Sequence, residues 1–163
     1  MKKYLISILF FIVSCNSNLN TNNNFTNGSV KFISAKGVPV LKGTLNGKPA
    51  YFIMDSGASL SVLDSDQSKD YGFNVYADSE DGMVAGYGGT TQMESASNVN
   101  IEIGGVKFIG DYKSQDISNI VSAISKDLGI HISGIIGSDI MSNLGIIIDF
   151  GTESIELKST QTK

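Results

Sequence analysis

The sequence predicts a mainly β, single-domain fold, and three observations carry that expectation. Short apolar runs recur along the chain and are punctuated by turn dipeptides such as Asn46-Gly47 and Gly104-Gly105. The runs are too short and too closely spaced for alternating strands and crossover helices. The 163 residues are 41% hydrophobic and 17% charged, enough for one packed core and unlike a disordered chain.

Taken in order, Ser29–Ser34 and Val38–Leu45 have strand character, and Asn46-Gly47 forms a hairpin turn because both residues tolerate positive φ. Tyr51–Met54 is a short apolar strand that stops at Asp55, and Leu60–Leu63 resumes it after a Gly turn. Gly72–Tyr76, Met83–Ala85 and Thr90–Glu94 follow, the last two joined by the turn Gly86-Tyr87-Gly88-Gly89. Asn98–Ile103 and Val106–Tyr112 flank Gly104-Gly105. Ile117–Leu128 has apolar residues at helical spacing. Gly134–Ile136 reads as apolar strand, and Ser138–Leu144 as a short helix with Ser138 or Asp139 as N-cap. Gly145–Phe150 and Ser154–Leu157 close the chain as strands around Gly151-Thr152. No strand at the start of the domain is an obvious partner for the C-terminal one.

Two segments precede the domain. Lys2-Lys3, an apolar stretch from Tyr4 to Val13 and then Ser14-Cys15 form a basic start, a core and a cysteine. The stretch is shorter than the about 20 residues that span a bilayer. This segment resembles a bacterial lipoprotein signal, 1–15, which implies lipidation of Cys15, a membrane anchor and a place in the cell envelope, facing the periplasm or the surface. Residues 16–28 contain seven Asn and no charge, the composition of a flexible tether. The expected domain is 29–163.

Composition excludes several functions. A single cysteine rules out an internal disulfide and a Cys-based zinc site, and the lone His131 rules out a two-His metal site. A net charge of -4 leaves no basic footprint for nucleic acid. His131 itself reads as a loop or core residue. Asp149-Phe150-Gly151 matches a kinase triplet, but no phosphate-binding Gly loop or His-Arg-Asp accompanies it, so it reads as a turn.

The chemistry points to Asp55. The run Phe52-Ile53-Met54-Asp55 sets a carboxylate at the end of a rigid strand. Gly57 lets the backbone turn and another segment approach, and Ser56 and Ser59 place hydroxyls beside the acid. Ile53-Met54-Asp55-Ser56-Gly57-Ala58-Ser59 resembles the active-site loop of the retropepsin-like aspartic proteases, with Ala58 closer to the retroviral pattern. Ile135-Ile136-Gly137-Ser138-Asp139 resembles the hydrophobic-Gly element and helix of that family, and Ala85–Thr91 lies where the family has its flap. The three occur in the family's order.

The resemblance implies a single-lobe, closed retropepsin-like β-barrel with a flap hairpin and one or two short helices. It implies an aspartic endopeptidase with Asp55 as the catalytic acid, no metal and no organic cofactor. The chain contains one Asp-Ser-Gly, and this chemistry needs two carboxylates sharing a proton, so two copies must pair. In that reading Ser56 braces the two loops, and Gly57 lets the two acids approach. Ala58 and Ser59 complete the loop. Ala85, Gly86, Tyr87, Gly88 and Gly89 form a lid over a peptide or protein substrate. Ile135, Ile136, Gly137 and Asp139 are structural. A non-catalytic peptide-binding or assembly module of the same fold is the alternative. A carbohydrate- or surface-binding lipoprotein with a chance Asp-Ser-Gly is a third reading, disfavoured by the ordered flap and hydrophobic-Gly elements.

Overall fold

The structure is a computed structural model that describes residues 28–77, 83–86 and 89–156; for 83–86 and 89–92 it describes the backbone. Cys15, the signal segment, nearly all of the tether, Tyr87 and Gly88 lie outside the described residues.

Fifteen strands and three helices form the described part of the chain. The strands are β1 (Ser29–Lys31), β2 (Ile33–Ala35), β3 (Val38–Leu45), β4 (Lys48–Met54), β5 (Val62–Asp64), β6 (Asn74–Ala77), β7 (Met83–Gly86) and β8 (Gly89–Gln92). They continue with β9 (Glu94–Ser97), β10 (Ile101–Ile103), β11 (Val106–Phe108), β12 (Tyr112–Gln115), β13 (Gly134–Ile136), β14 (Ile147–Asp149) and β15 (Ser154–Glu156). The helices are α1 (Ser68–Tyr71), preceded by a 3-10 turn at Ser65–Gln67, α2 (Ser118–Leu128) and α3 (Ser138–Leu144). The fold is mainly β, as the sequence predicts.

The main sheet runs β11-β10-β3-β4-β13-β5-β12-β9-β6, with β2 also on β3. It curls into a half-barrel whose path ends at β11 and β6. β13 lies at its centre, parallel to β4 and antiparallel to β5. Two cores sandwich this centre, because successive residues of a strand point to opposite faces. Phe52, Met54, Leu63 and Ile136 enter one core with Ile140 and Met141 of α3. Ile53, Val62 and Ile135 enter the other with Ile117 and Val121 at α2. Burial on both faces is why these strands read as unbroken apolar runs rather than alternating ones.

Turn chemistry explains the hairpins. Asn46 and Gly47 both have positive φ (49° and 79°) between β3 and β4, the geometry whose twist matches that of the paired strands. Gly104 and Gly105 do the same between β10 and β11.

Several expected boundaries move. The first strand divides at Phe32, whose side chain is buried while its N–H donates to the Glu153 carbonyl. The Asn98–Ile103 strand starts at Ile101, because Asn98 takes a left-handed φ of 59°. Tyr112 opens β12 instead of closing β11. The pairing that the sequence does not show is made by the first half of this expected strand: β1 pairs antiparallel with β15 of its own chain. β15 in turn pairs with β14, so the chain ends form a three-stranded sheet, β1-β15-β14.

Candidate active site

Asp55 follows the last residue of β4, where Phe52, Ile53 and Met54 are all buried and Asp55 itself is exposed. The strand therefore acts as a rigid post with a carboxylate at its tip. The Asp55 N–H donates to the Ile136 carbonyl at 3.0 Å, extending the pairing with β13 by one residue. The chain then reverses: the Ala58 N–H returns to the Asp55 carbonyl at 3.1 Å. The Gly57 N–H donates to Asp55 Oδ1 at 2.9 Å, which orients the carboxylate. An added Cβ at Gly57 would sit 3.2 Å from Oδ1, tight against the group it holds.

A second layer locks the loop from behind. The Ala58 carbonyl accepts from the Ser138 N–H at 2.8 Å and from Ser138 Oγ at 3.0 Å. Ser61 Oγ accepts from the Gly137 N–H at 2.9 Å and donates to Asp139 Oδ1 at 2.8 Å, while the Ser61 N–H donates to Asp139 Oδ2 at 3.0 Å. Two loops are thus stitched together at the point where β13 turns into α3. Gly137 is required there for space: a Cβ would lie 2.7 Å from both the carbonyl carbon and oxygen of Leu60, and 2.8 Å from the Ala58 carbonyl oxygen.

The structure brings Asp55, Ser56, Gly57, Ala58, Ile135, Ile136, Gly137 and Asp139 into one constellation. Asp139 is not the N-cap of α3. That position falls to Gly137 with no side-chain cap, because the Asp139 carboxylate is spent on Ser61. Ser138 does not cap either, since its hydroxyl is spent on Ala58. Ala58 contributes its backbone carbonyl to the lock. Ser56 is exposed and borders a groove, and Ser59 is exposed. β7 and β8 form the expected hairpin, with Ala85 opposite Thr90 and Gly86 opposite Gly89.

Ser61 is the residue that sequence reasoning missed. It read as one more position in an apolar strand, yet it is fully buried and makes three hydrogen bonds to Gly137 and Asp139. Asp139 has a further effect: burial first, and then the Asp139 charge, push the Tyr112 phenol above its usual range, and its OH donates to the Phe108 carbonyl at 2.6 Å.

Elsewhere, His131 is exposed, with Nε2 3.3 Å from Asp64 Oδ2. Among the described residues, Asp64, Asp66 and Asp116 bring ligand atoms within 4.8 Å of one another. The buried member, Asp64, is already held by Gln67 Nε2 at 2.7 Å.

The comparisons agree with this geometry. A family model described as aspartyl protease matches residues 41–140, which contain β4, the Asp55 loop, the hairpin and β13. Among solved structures, EIAV protease complexed with the inhibitor HBY-793 has the same fold, with a TM-score of 0.50 and 21% identity. The match covers 69% of this chain and 93% of that one. No curated protein matches. With a strand-mounted Asp-Ser-Gly, a Gly137 crowded by the backbone of Leu60 and Ala58, and a family match over most of the domain, the chain belongs to the aspartyl protease family and has the fold of a retroviral protease.

Proposed function

We propose that the chain is an aspartic endopeptidase in which Asp55 of each of two subunits supplies half of a water-activating dyad. One observation carries the reading: Asp55 is the exposed tip of an otherwise buried strand, with its backbone and one carboxylate oxygen fixed. A merely structural acid at a turn needs no such exposure combined with such support.

Two carboxylates held together share one proton, because like charges at close range do not both ionise cheaply. The charged one takes a proton from water as the water oxygen attacks the scissile carbonyl. The protonated one gives its proton to the carbonyl oxygen. The tetrahedral species then collapses: the C–N bond breaks, the amine nitrogen takes the proton held by the first carboxylate, and the second carboxylate takes back a hydroxyl proton as the C=O bond re-forms, which restores the shared proton. Ser56 braces the two loops against each other. The β7–β8 hairpin, with Ala85, Gly86 and Gly89 and the turn residues Tyr87 and Gly88, closes over the substrate and excludes water. An extended peptide binds by main-chain hydrogen bonds, its side chains entering alternate pockets. The reaction uses no metal or organic cofactor.

The test is cleavage of a peptide library by the full chain and by Asp55→Asn. Loss of about 10³-fold or more in rate, with an unchanged melting curve, is the expected result. Equal cleavage by the folded variant ends the reading.

The signal-like segment supports a companion proposal: Cys15 is lipidated and tethers the domain to the cell envelope. Incorporation of a labelled fatty acid, lost in Cys15→Ser, is the expected outcome; equal labelling of the variant overturns it.

A further inference from the structure

β5 and β12 run parallel, with Asp64 opposite Gln115, so the two strands leave the sheet at the same end. Asp64 is the last residue of β5, Asp66 stands in the turn that follows it, and Asp116 comes directly after β12. Each of the three carboxylates offers one oxygen, and these oxygens lie within 4.8 Å of one another, with Asp64 buried and the other two exposed. Two of the acids are held in place. Gln67 Nε2 and His131 Nε2 meet Asp64 Oδ2 at 2.7 and 3.3 Å, and the Ser118 N–H donates to Asp116 Oδ1 at 2.8 Å. Like charges this close repel, and a cation between them turns the repulsion into binding.

The acids do not stand alone. Ser114 is fully buried, and its hydroxyl has no hydrogen-bond partner among the described residues. A buried hydroxyl without a partner is unfavourable, so it marks a place for a ligand or for the water that a ligand carries. Ser114 lies between Leu63 of β5 and Glu94 of β9, and directly paired residues present their side chains to one face. Ser65 and Asp116, each two residues further along, continue that face. Ser65, Glu94, Ser114 and Asp116 all line one cleft of about 350 Å³. The unpartnered hydroxyl therefore opens onto the space beside the acids, and no Lys, Arg or His is among the described residues lining it.

We infer that Asp64, Asp66 and Asp116 bind a divalent, oxygen-seeking cation, Ca²⁺, whose water shell reaches Ser114 and Glu94 in the cleft. The donor set is entirely oxygen, which suits a hard cation rather than a transition metal. Two oxygens on opposite sides of a Ca²⁺ lie roughly 4.6–5.2 Å apart, and Ca²⁺ accepts irregular geometry and several waters, whereas Mg²⁺ demands a tighter octahedron. The ion joins the end of β5 to the start of α2, about 50 residues later in the chain, and supplies no step of the reaction at Asp55.

Calorimetric titration of CaCl₂ into the chelator-treated full chain in non-ionic detergent, at constant ionic strength, tests this. The wild type is expected to bind Ca²⁺ with a dissociation constant on the order of 10⁻⁴–10⁻³ M, and Mg²⁺ about tenfold more weakly. Asp66→Asn and Asp116→Asn are each expected to raise the Ca²⁺ dissociation constant about tenfold, since each removes one charged ligand. Asp127→Asn, at the other end of α2, is expected to leave it unchanged. Ser114→Ala is expected to weaken Ca²⁺ binding about threefold without lowering the metal-free melting temperature, because the hydroxyl has no protein partner to lose. Should one Asp variant fail to fold by circular dichroism, the other gives the same readout. No binding by the wild type at about 10 mM Ca²⁺, well above the expected dissociation constant, overturns the inference. So do folded Asp66 and Asp116 variants that bind as tightly as the wild type. Asp55→Asn is expected to bind Ca²⁺ as the wild type does, and loss of binding there would move the ion to Asp55 and overturn the inference. A chain that binds Ca²⁺ and cleaves nothing retires the protease assignment and keeps the ion site.

Discussion

Ser61 and Asp139, 78 residues apart in sequence, are joined by two hydrogen bonds, one from the Ser61 N–H and one from its hydroxyl. The same hydroxyl oxygen accepts from the Gly137 N–H. This junction, and not the Asp55 loop alone, fixes where the strand tip points.

Ser61→Ala removes the hydroxyl and leaves the Gly137 N–H and one Asp139 oxygen without it, in a site that excludes water. The expected cost is about 1–3 kcal/mol of stability, read by urea unfolding. Ser61→Thr, which keeps the hydroxyl, should recover part of it. Full stability in the alanine variant would show that the junction is incidental.

Gly137→Ala tests the tight crossing of β13 and the loop. Gly137 has φ −92°, a conformation open to any residue, so the penalty is purely steric. The nearest obstacles are backbone atoms of Leu60 and Ala58, which have no rotamer through which to retreat. A loss of about 2–3 kcal/mol in unfolding free energy is expected. At Gly47 the reverse holds: nothing lies within 4 Å, but φ is +79°, so Gly47→Ala should cost only about 1–2 kcal/mol through backbone strain.

Mixing wild-type and Asp55→Asn chains probes the shared dyad without relying on the detail of the interface. If each dimer needs two acids, equal mixing with exchange leaves about a quarter of the dimers active. Specific activity per total chain should follow the square of the wild-type fraction. A linear dependence would mean that each subunit acts alone.

Acid stability should depend on Asp149 and Asp116. Asp149 is held below the usual carboxylate range by Thr152 hydrogen bonds first, then by the Gly151 N–H and the charge of Lys31; Asp116 is held below it by Ser118. Folded values below unfolded ones mean that the charged forms stabilise the fold above the ordinary carboxylate range. That contribution fades as pH falls through the folded values. Asp149→Asn is expected to flatten the fall in stability between neutral pH and about pH 3, measured by urea titration. An unchanged slope would assign the acid response to other groups.

Much of this was legible in the sequence because its signals are local. Val38–Leu45 and Gly134–Ile136 stand where their apolar runs place them, and Asn46-Gly47 turns as its φ tolerance requires. The motif around Asp55 announced its strand-tip geometry through three buried residues followed by an acid. β9 was hidden, because Glu94-Ser95-Ala96-Ser97 has weak strand preference and is held by β6 and β12 on either side. α1 was hidden because Ser68–Tyr71 is one polar turn with no periodicity to read. The Ser61–Asp139 link was invisible for a different reason: a pairing across 78 residues leaves no trace in either local pattern.

That long link also orders events during synthesis. The Asp55 loop is braced by Ile136, Gly137, Ser138 and Asp139, so a ribosome must make about 85% of the 163 residues before the acid is held in place. A nascent or truncated polypeptide ending before β13 carries Asp55 on a turn that lacks the Ile136, Ser138 and Asp139 contacts, so the proposed site is not held in place until β13 and the start of α3 are made.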